Sequence, residues 1–162
     1  MEPFLIELNE LLVGTYQSIV EVEERMLRDL SNSRLTITEM HVLECIGQGA
    51  ETGRTVSDIA QRLRITPPSA TVSIKRLESK GYVVKDRCAA DARRVYVRLT
   101  REGRRAEVAH RYFHRQMVRA IADTMDAAER RALLKGIKKL DAFLKGKAAS
   151  AGQEQSERST VI

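Results

Sequence analysis

The 162-residue chain is 43% hydrophobic and 31% charged, with a formal net charge of +6 and no tryptophan. That is enough apolar material for the core of one domain and too little aromatic surface for a single-strand binder that stacks bases. No apolar run approaches the roughly 20 residues that span a bilayer, and the start, MEPFLIELNELL, is acidic where a signal peptide is basic, so a cytoplasmic location is expected.

The elements follow in order. Leu5, Leu8, Leu12, Ile19, Val22, Met26 and Leu30 recur at spacings of three, four and seven, which predicts one apolar stripe of a long helix over 4–30. Residues 31–33, Ser-Asn-Ser, break it. Thr36 and Glu39 form a capping box, with Leu35 and Met40 as its hydrophobic staple, and open a second helix that ends at Gly47 and Gly49. Cys45 falls in its apolar pattern and is expected in the core. Thr55 and Asp58 cap a short third helix through Ile59, Ala60 and Leu63. After a tight connection at 64–66, Thr66 caps a fourth helix, which begins at Pro67, where the missing N–H costs nothing, and stops at Gly81. Ala70, Ile74 and Leu77 should face inward, and Ser69, Val72, Ser73 and Arg76 outward.

Two β-patterned runs come next, 82–87 and 94–99. In the second, Val95, Val97 and Leu99 alternate with Arg94, Tyr96 and Arg98, as in a half-buried strand. Cys88 lies in the polar segment between them. The two cysteines are far apart and in no metal-type spacing, which argues against a disulfide scaffold. A long basic helix is expected from Arg101 to about Met125. Asp126 and Glu129 cap a last one, whose apolar face is Leu133, Leu134, Ile137, Leu140, Phe143 and Leu144. Beyond Lys147 the Ala, Gly, Gln, Ser and Glu composition predicts a disordered tail, 147–162.

Charge is unevenly spread. Residues 1–53 carry a net −7, 54–105 a net +9 and 106–162 a net +4. A basic block over two short helices and a hairpin is the electrostatic footprint of a polyanion binder. The fold class expected is mainly α with a small β-wing, a winged helix-turn-helix over 34–100. Helices from 1–33 and 101–146 flank it as a discontinuous dimerisation region. The helix from Pro67 suits a major groove, where hydroxyls can meet either base type, Val72 a thymine methyl, and Arg76 guanine or phosphate. The candidate DNA-contacting residues on this helix are Thr66, Pro68, Ser69, Thr71, Val72, Ser73, Lys75 and Arg76.

Over about 4–146 the chain resembles the MarR family of bacterial transcription regulators. The most specific residues are Leu77-Glu78-Ser79-Lys80-Gly81, the tip Asp91-Ala92-Arg93-Arg94, and Leu99-Thr100 followed by Gly103. The resemblance implies that Asp91 braces the wing, Arg93 enters the minor groove and Arg94 lies on or near the backbone. It also implies a homodimer on double-stranded DNA, reading an inverted repeat with its recognition helices about 34 Å apart.

Three histidines bear on what controls such a protein. His110 and His114 are one helical turn apart, His41 lies in the second helix and Glu23 in the first. Histidines at this spacing with a carboxylate suit zinc, and in zinc-responsive members of the family Glu23, His41, His110 and His114 match one metal site. The second site of those proteins is not matched, since Asp29, Met40 and Ala109 stand there. The chain looks nearer to the regulators of fatty-acid synthesis genes in Firmicutes, through Ile37-Thr38-Glu39-Met40-His41, Arg111-Tyr112-Phe113-His114, Met117-Val118 and Lys135-Gly136. Those carry histidines at the same places and respond to long-chain acyl groups on acyl carrier protein. The expectation is therefore a repressor with an acyl-acyl carrier protein or acyl-lipid effector and no cofactor or metal; a zinc-responsive regulator, or one responsive to small aromatic ligands, is the alternative. No Gly-rich phosphate loop, nucleophile elbow or paired catalytic carboxylates appear, so no enzyme activity is expected.

Overall fold

The computed structural model describes residues 2–29, 35–49, 52–87 and 95–159. Helices α1 (Pro3–Asp29), α2 (Ile37–Gly47), α3 (Val56–Leu63), α4 (Pro67–Ser79), α5 (Arg101–Asp123) and α6 (Ala127–Ser159) accompany three short strands, β1 (Arg54–Thr55), β2 (Val83–Arg87) and β3 (Val95–Leu99). The sheet is antiparallel in the order β1-β3-β2, with Arg54 opposite Val97 and Val83 opposite Leu99. The strand β1 escapes the sequence reading because two residues leave no alternation to see.

Chain ends of the helices form as local chemistry dictates. The Thr36 hydroxyl accepts from the Glu39 N–H at 3.2 Å while Glu39 accepts from the Thr36 N–H at 2.9 Å, completing the capping box. Thr55 and Thr66 cap α3 and α4 through the N–H groups of Asp58 and Ser69. Gly81, at φ 79°, lets the Tyr82 N–H reach Leu77 O at 2.9 Å and its own N–H reach Glu78 O at 3.0 Å, a Schellman end to α4. The same pattern ends α3 with Arg64 in the left-handed position, at φ 54°.

The core gathers Met40, Val42, Leu43 and Ile46 of α2, Ile59 of α3, Ile74 and Leu77 of α4, and Val83 and Val97 of the sheet, all essentially buried. Leu27 of α1 and Leu35 join it, and Cys45 is buried as its pattern requires. A polar bracket stitches the edge of this core. Arg54, 11% exposed at its side chain, donates through Nε to Cys45 O at 2.6 Å and through Nη1 to Asp58 at 2.7 Å.

The chain divides into two compact units, Met1–His114 and Arg115–Ile162. The division differs from the 1–33, 34–100 and 101–146 partition because the C-terminal part of α1 and the first half of α5 pack on α2. Leu27 and Glu23 of α1, and Glu107 and His110 of α5, are buried. In the second unit, Asp126 accepts from the Ala128 and Glu129 N–H groups, and Glu129 returns to the Asp126 N–H, so the predicted cap is present. Helix α6 continues to Ser159, through the stretch from Lys147 where composition predicts a disordered tail. Ala, Gln and Glu are strong helix formers and the stretch has no proline, so low hydrophobicity there coexists with helix. No helix is long and apolar enough to cross a membrane among the described residues.

Candidate nucleic-acid interface

Helix α4 is laid on the core by Ala70, Ile74 and Leu77, each fully buried. That packing turns Pro68, Ser69, Val72, Lys75 and Arg76 outward, with Thr71 and Ser73 half-buried beside them. Val72 is 48% exposed, an apolar side chain offered to solvent on an otherwise polar face. The face thus combines methyls, hydroxyls and two cations.

Not every predicted reader is equally available. The Thr66 hydroxyl already accepts from the Ser69 N–H and lies 2.8 Å from the Ser69 hydroxyl. Thr71 donates its hydroxyl to Pro67 O at 2.9 Å. Both therefore shape the first turn of α4, and of the predicted face the Ser73 hydroxyl, with Val72, Lys75 and Arg76, is not engaged in shaping that turn. Asp91, Arg93 and Arg94 lie outside the described residues, as does Cys88. What is described of the wing is its base, where β2 and β3 pair from Val83 with Leu99 to Arg87 with Val95. Across this ladder Arg98 is ion-paired with Asp86.

The far end of α4 is tied down on several sides. Lys80 Nζ donates to both oxygens of Glu39, at 2.8 and 2.7 Å, and the Glu39 side chain is only 4% exposed. Lys85 of β2 bonds Glu78 at 2.5 Å. The Thr100 hydroxyl donates to Gly81 O at 2.7 Å and accepts from the Gly103 N–H at 3.1 Å, while the Thr100 N–H donates to Tyr82 O at 3.0 Å. A Cβ on Gly103 would stand 2.0 Å from Tyr82 O, so only glycine lets α5 start here. This gives the Leu-Thr…Gly pattern its physical content.

The histidines form a second constellation. His110, wholly buried on α5, bonds Glu44 of α2 through Nδ1 at 2.8 Å. Its Nε2 lies 3.3 Å from His114 Nε2, which is 3.1 Å from Glu23 Oε1. In the neutral tautomer that donates Nδ1–H to Glu44, His110 Nε2 carries the lone pair and faces His114. The bond from His110 also holds the Glu44 carboxyl below the usual carboxylate range, against the opposing effect of burial. Donor atoms of Glu23, His110 and His114 all lie within 4.8 Å of one another. His41 is exposed, its ring centroid 6.5 Å from that of His110, and is not one of the converging groups. The sequence reading missed Glu44, although it lies three residues after His41 on the same helix and so shares its face.

Comparison with known proteins gives a consistent picture. A sequence profile described as "MarR family" matches residues 35–94. The uncharacterized HTH-type transcriptional regulator YhjH of Bacillus subtilis is 30% identical over 86 residues, 53% of this chain and 48% of its own, so the chain spans about half the length of that relative. The crystal structure of Streptococcus pneumoniae FabT in complex with DNA is 33% identical, covering 87% of this chain and 97% of the other, with a TM-score of 0.79. Bordetella bronchiseptica BpsR, whose DNA binding is regulated by 6-hydroxynicotinic acid, is 26% identical over 82% of this chain and 91% of its own, with a TM-score of 0.61.

Proposed function

Because the chain belongs to the MarR family of DNA-binding transcription regulators, we propose that it acts in the cytoplasm as a homodimeric repressor of an inverted-repeat operator. One recognition helix α4 would serve each half-site. The observation that carries this reading is the outward face of α4, where Val72, Ser73, Lys75 and Arg76 stand on a helix fixed at both ends. Arg93, braced by Asp91, reaches the minor groove, with Arg94 near the backbone; the sequence resemblance supports these wing roles. Footprinting on the promoter of the chain's own operon tests the proposal. Protection of a short inverted repeat is expected, and Arg76→Ala should lose about 1–3 kcal/mol of binding if Arg76 pairs with guanine. Weak, uniform protection along the whole duplex would overturn it.

For the effector, we favour a long-chain acyl group on acyl carrier protein, with fatty-acid synthesis genes as targets. The shared runs around His41, His114 and Lys135, and the likeness to FabT, support it. The effector would act by shifting a two-state dimer toward a conformer with misplaced recognition helices. Release of bound operator by acyl-acyl carrier protein, but not by the unacylated carrier, is the expected result. BpsR keeps small aromatic ligands as the alternative, and release by 6-hydroxynicotinic acid alone would favour them.

A zinc-responsive reading has its own support in the Glu23, His110 and His114 cluster. Separations of 3.1 and 3.3 Å between donor atoms compare with the roughly 3.3 Å edge of a tetrahedron with Zn–N bonds near 2.05 Å. The Glu44 bond to His110 is the outer carboxylate that ligating histidines commonly have. Bound zinc would supply a charge that ties α1 to α5. Metal analysis of protein purified without chelator, repeated on His110→Ala, decides it; absence of stoichiometric zinc from the unmutated protein would end this reading.

A further inference from the structure

The described surface offers several features outside the reading face of α4, and the furthest-reaching is the clamp on that helix's C-terminal end. We propose that Glu39 and Thr100 are positioning residues for DNA recognition: together they fix the direction in which α4 is presented, and so the half-site spacing the dimer accepts. The inference rests on the DNA-binding reading above.

The two residues hold α4 from different elements. Glu39 cannot turn freely, since its carboxylate also closes the capping box at the Thr36 N–H. Both of its oxygens take Lys80, the cap residue of α4, so the fixed end of α2 dictates where α4 ends. An ion pair with one buried end, Glu39, and one end at the surface, Lys80, adds little net stability, because desolvation of the carboxylate offsets most of the attraction. What it does supply is a direction. Thr100 supplies the second constraint by bonding Gly81 O on one side and the Gly103 N–H on the other. With Gly103 pressed against Tyr82 O, the first turn of α5 rests directly on the residues that end α4. The one glycine between them, Gly81, is itself held by the Thr100 hydroxyl at its carbonyl and by its N–H to Glu78 O. In the proposed dimer a change in the direction of α5 would therefore act on the end of α4 through these contacts.

The test uses the full chain and the inverted repeat that it selects from a random duplex pool. Affinity is measured for that repeat and for versions with the half-sites one base pair closer or farther. Thr100→Val keeps shape but loses both hydroxyl bonds, and Glu39→Gln keeps the cap acceptor but loses the charge. Each should lose about tenfold in affinity for the selected spacing and discriminate less among spacings, while Thr100→Ser, which restores both bonds, should match the parent. Circular dichroism at the assay temperature verifies folding. Should Thr100→Val fail to fold, Lys80→Gln replaces it with the same expectation, since Lys80 is at the surface. Folded variants with unaltered affinity and unaltered spacing preference overturn the proposal. If the parent chain selects no repeat, the DNA-binding reading itself falls, and this inference with it.

Discussion

Arg64 is, among the described residues, the non-glycine residue with positive φ, at 54°. A left-handed conformation costs a side-chain-bearing residue about 1–2 kcal/mol, whereas glycine there costs about 0.5–1 kcal/mol in chain entropy. Arg64→Gly should therefore raise stability by about 0.5–1 kcal/mol, read as a higher urea midpoint. The same change should weaken operator binding, because strain kept at an exposed arginine just before α4 points to a use for its charge. Unchanged binding would remove that explanation. Glu44 makes a second residue-scale prediction. Its folded carboxyl lies below the unfolded value of about 4.3, so its contribution is full above that pH and is lost as pH falls through the folded value. Asp58 is lowered in the same sense by its bond from Arg54. Between pH 6 and 3, wild-type stability should fall more steeply below about pH 4 than that of Glu44→Gln, with Asp58 sustaining a residual slope in both. Parallel urea-midpoint curves would contradict this.

At the scale of elements, what the sequence made legible was local. Threonine caps, the glycine at 81 and the inward set Ala70, Ile74 and Leu77 act within one or two helical turns, so spacing alone exposes them. Of the two wing strands, β3 was visible through alternation and β2 as the β-patterned run before the polar segment. What stayed hidden depends on distant partners: β1 exists because Arg54 and Thr55 meet Val97 and Tyr96, and Glu44 matters because α5 brings His110 to it. The length of α6 is not legible in composition for another reason, since a stretch poor in large apolar residues suits both a solvated helix and a disordered tail. Gly103 is the clearest case of a motif whose reason needs three dimensions. Gly103→Ala must push α5 off Tyr82 O, and overpacking of this order costs at least about 1–3 kcal/mol. A melting temperature equal to wild type would mean that α5 does not start where it is drawn.

At the scale of the whole molecule, two helices each expose several large apolar side chains, the kind of surface that marks an interaction site when contiguous. On α6 these are Leu133, Leu134, Ile137, Phe143 and Leu144, and on α1 Phe4, Leu5, Leu8 and Leu12. Each buried leucine contributes roughly 1.5–3 kcal/mol, so a second copy is the expected cover. Replacing Ile137 and Leu144 together by lysine should yield monomers with weakened operator binding; sedimentation equilibrium checks this, and a wild-type chain that is monomeric at micromolar concentration would refute the dimer. The sheet order carries a different consequence. Arg54 and Thr55 hold the edge of the sheet by two residues of ladder, against five paired residues between β2 and β3. That pairing should therefore open well before the rest of the unit. Amide hydrogens of β1 should exchange faster than those between β2 and β3, and the wing should be able to loosen at its inner edge while the reading helix stays folded.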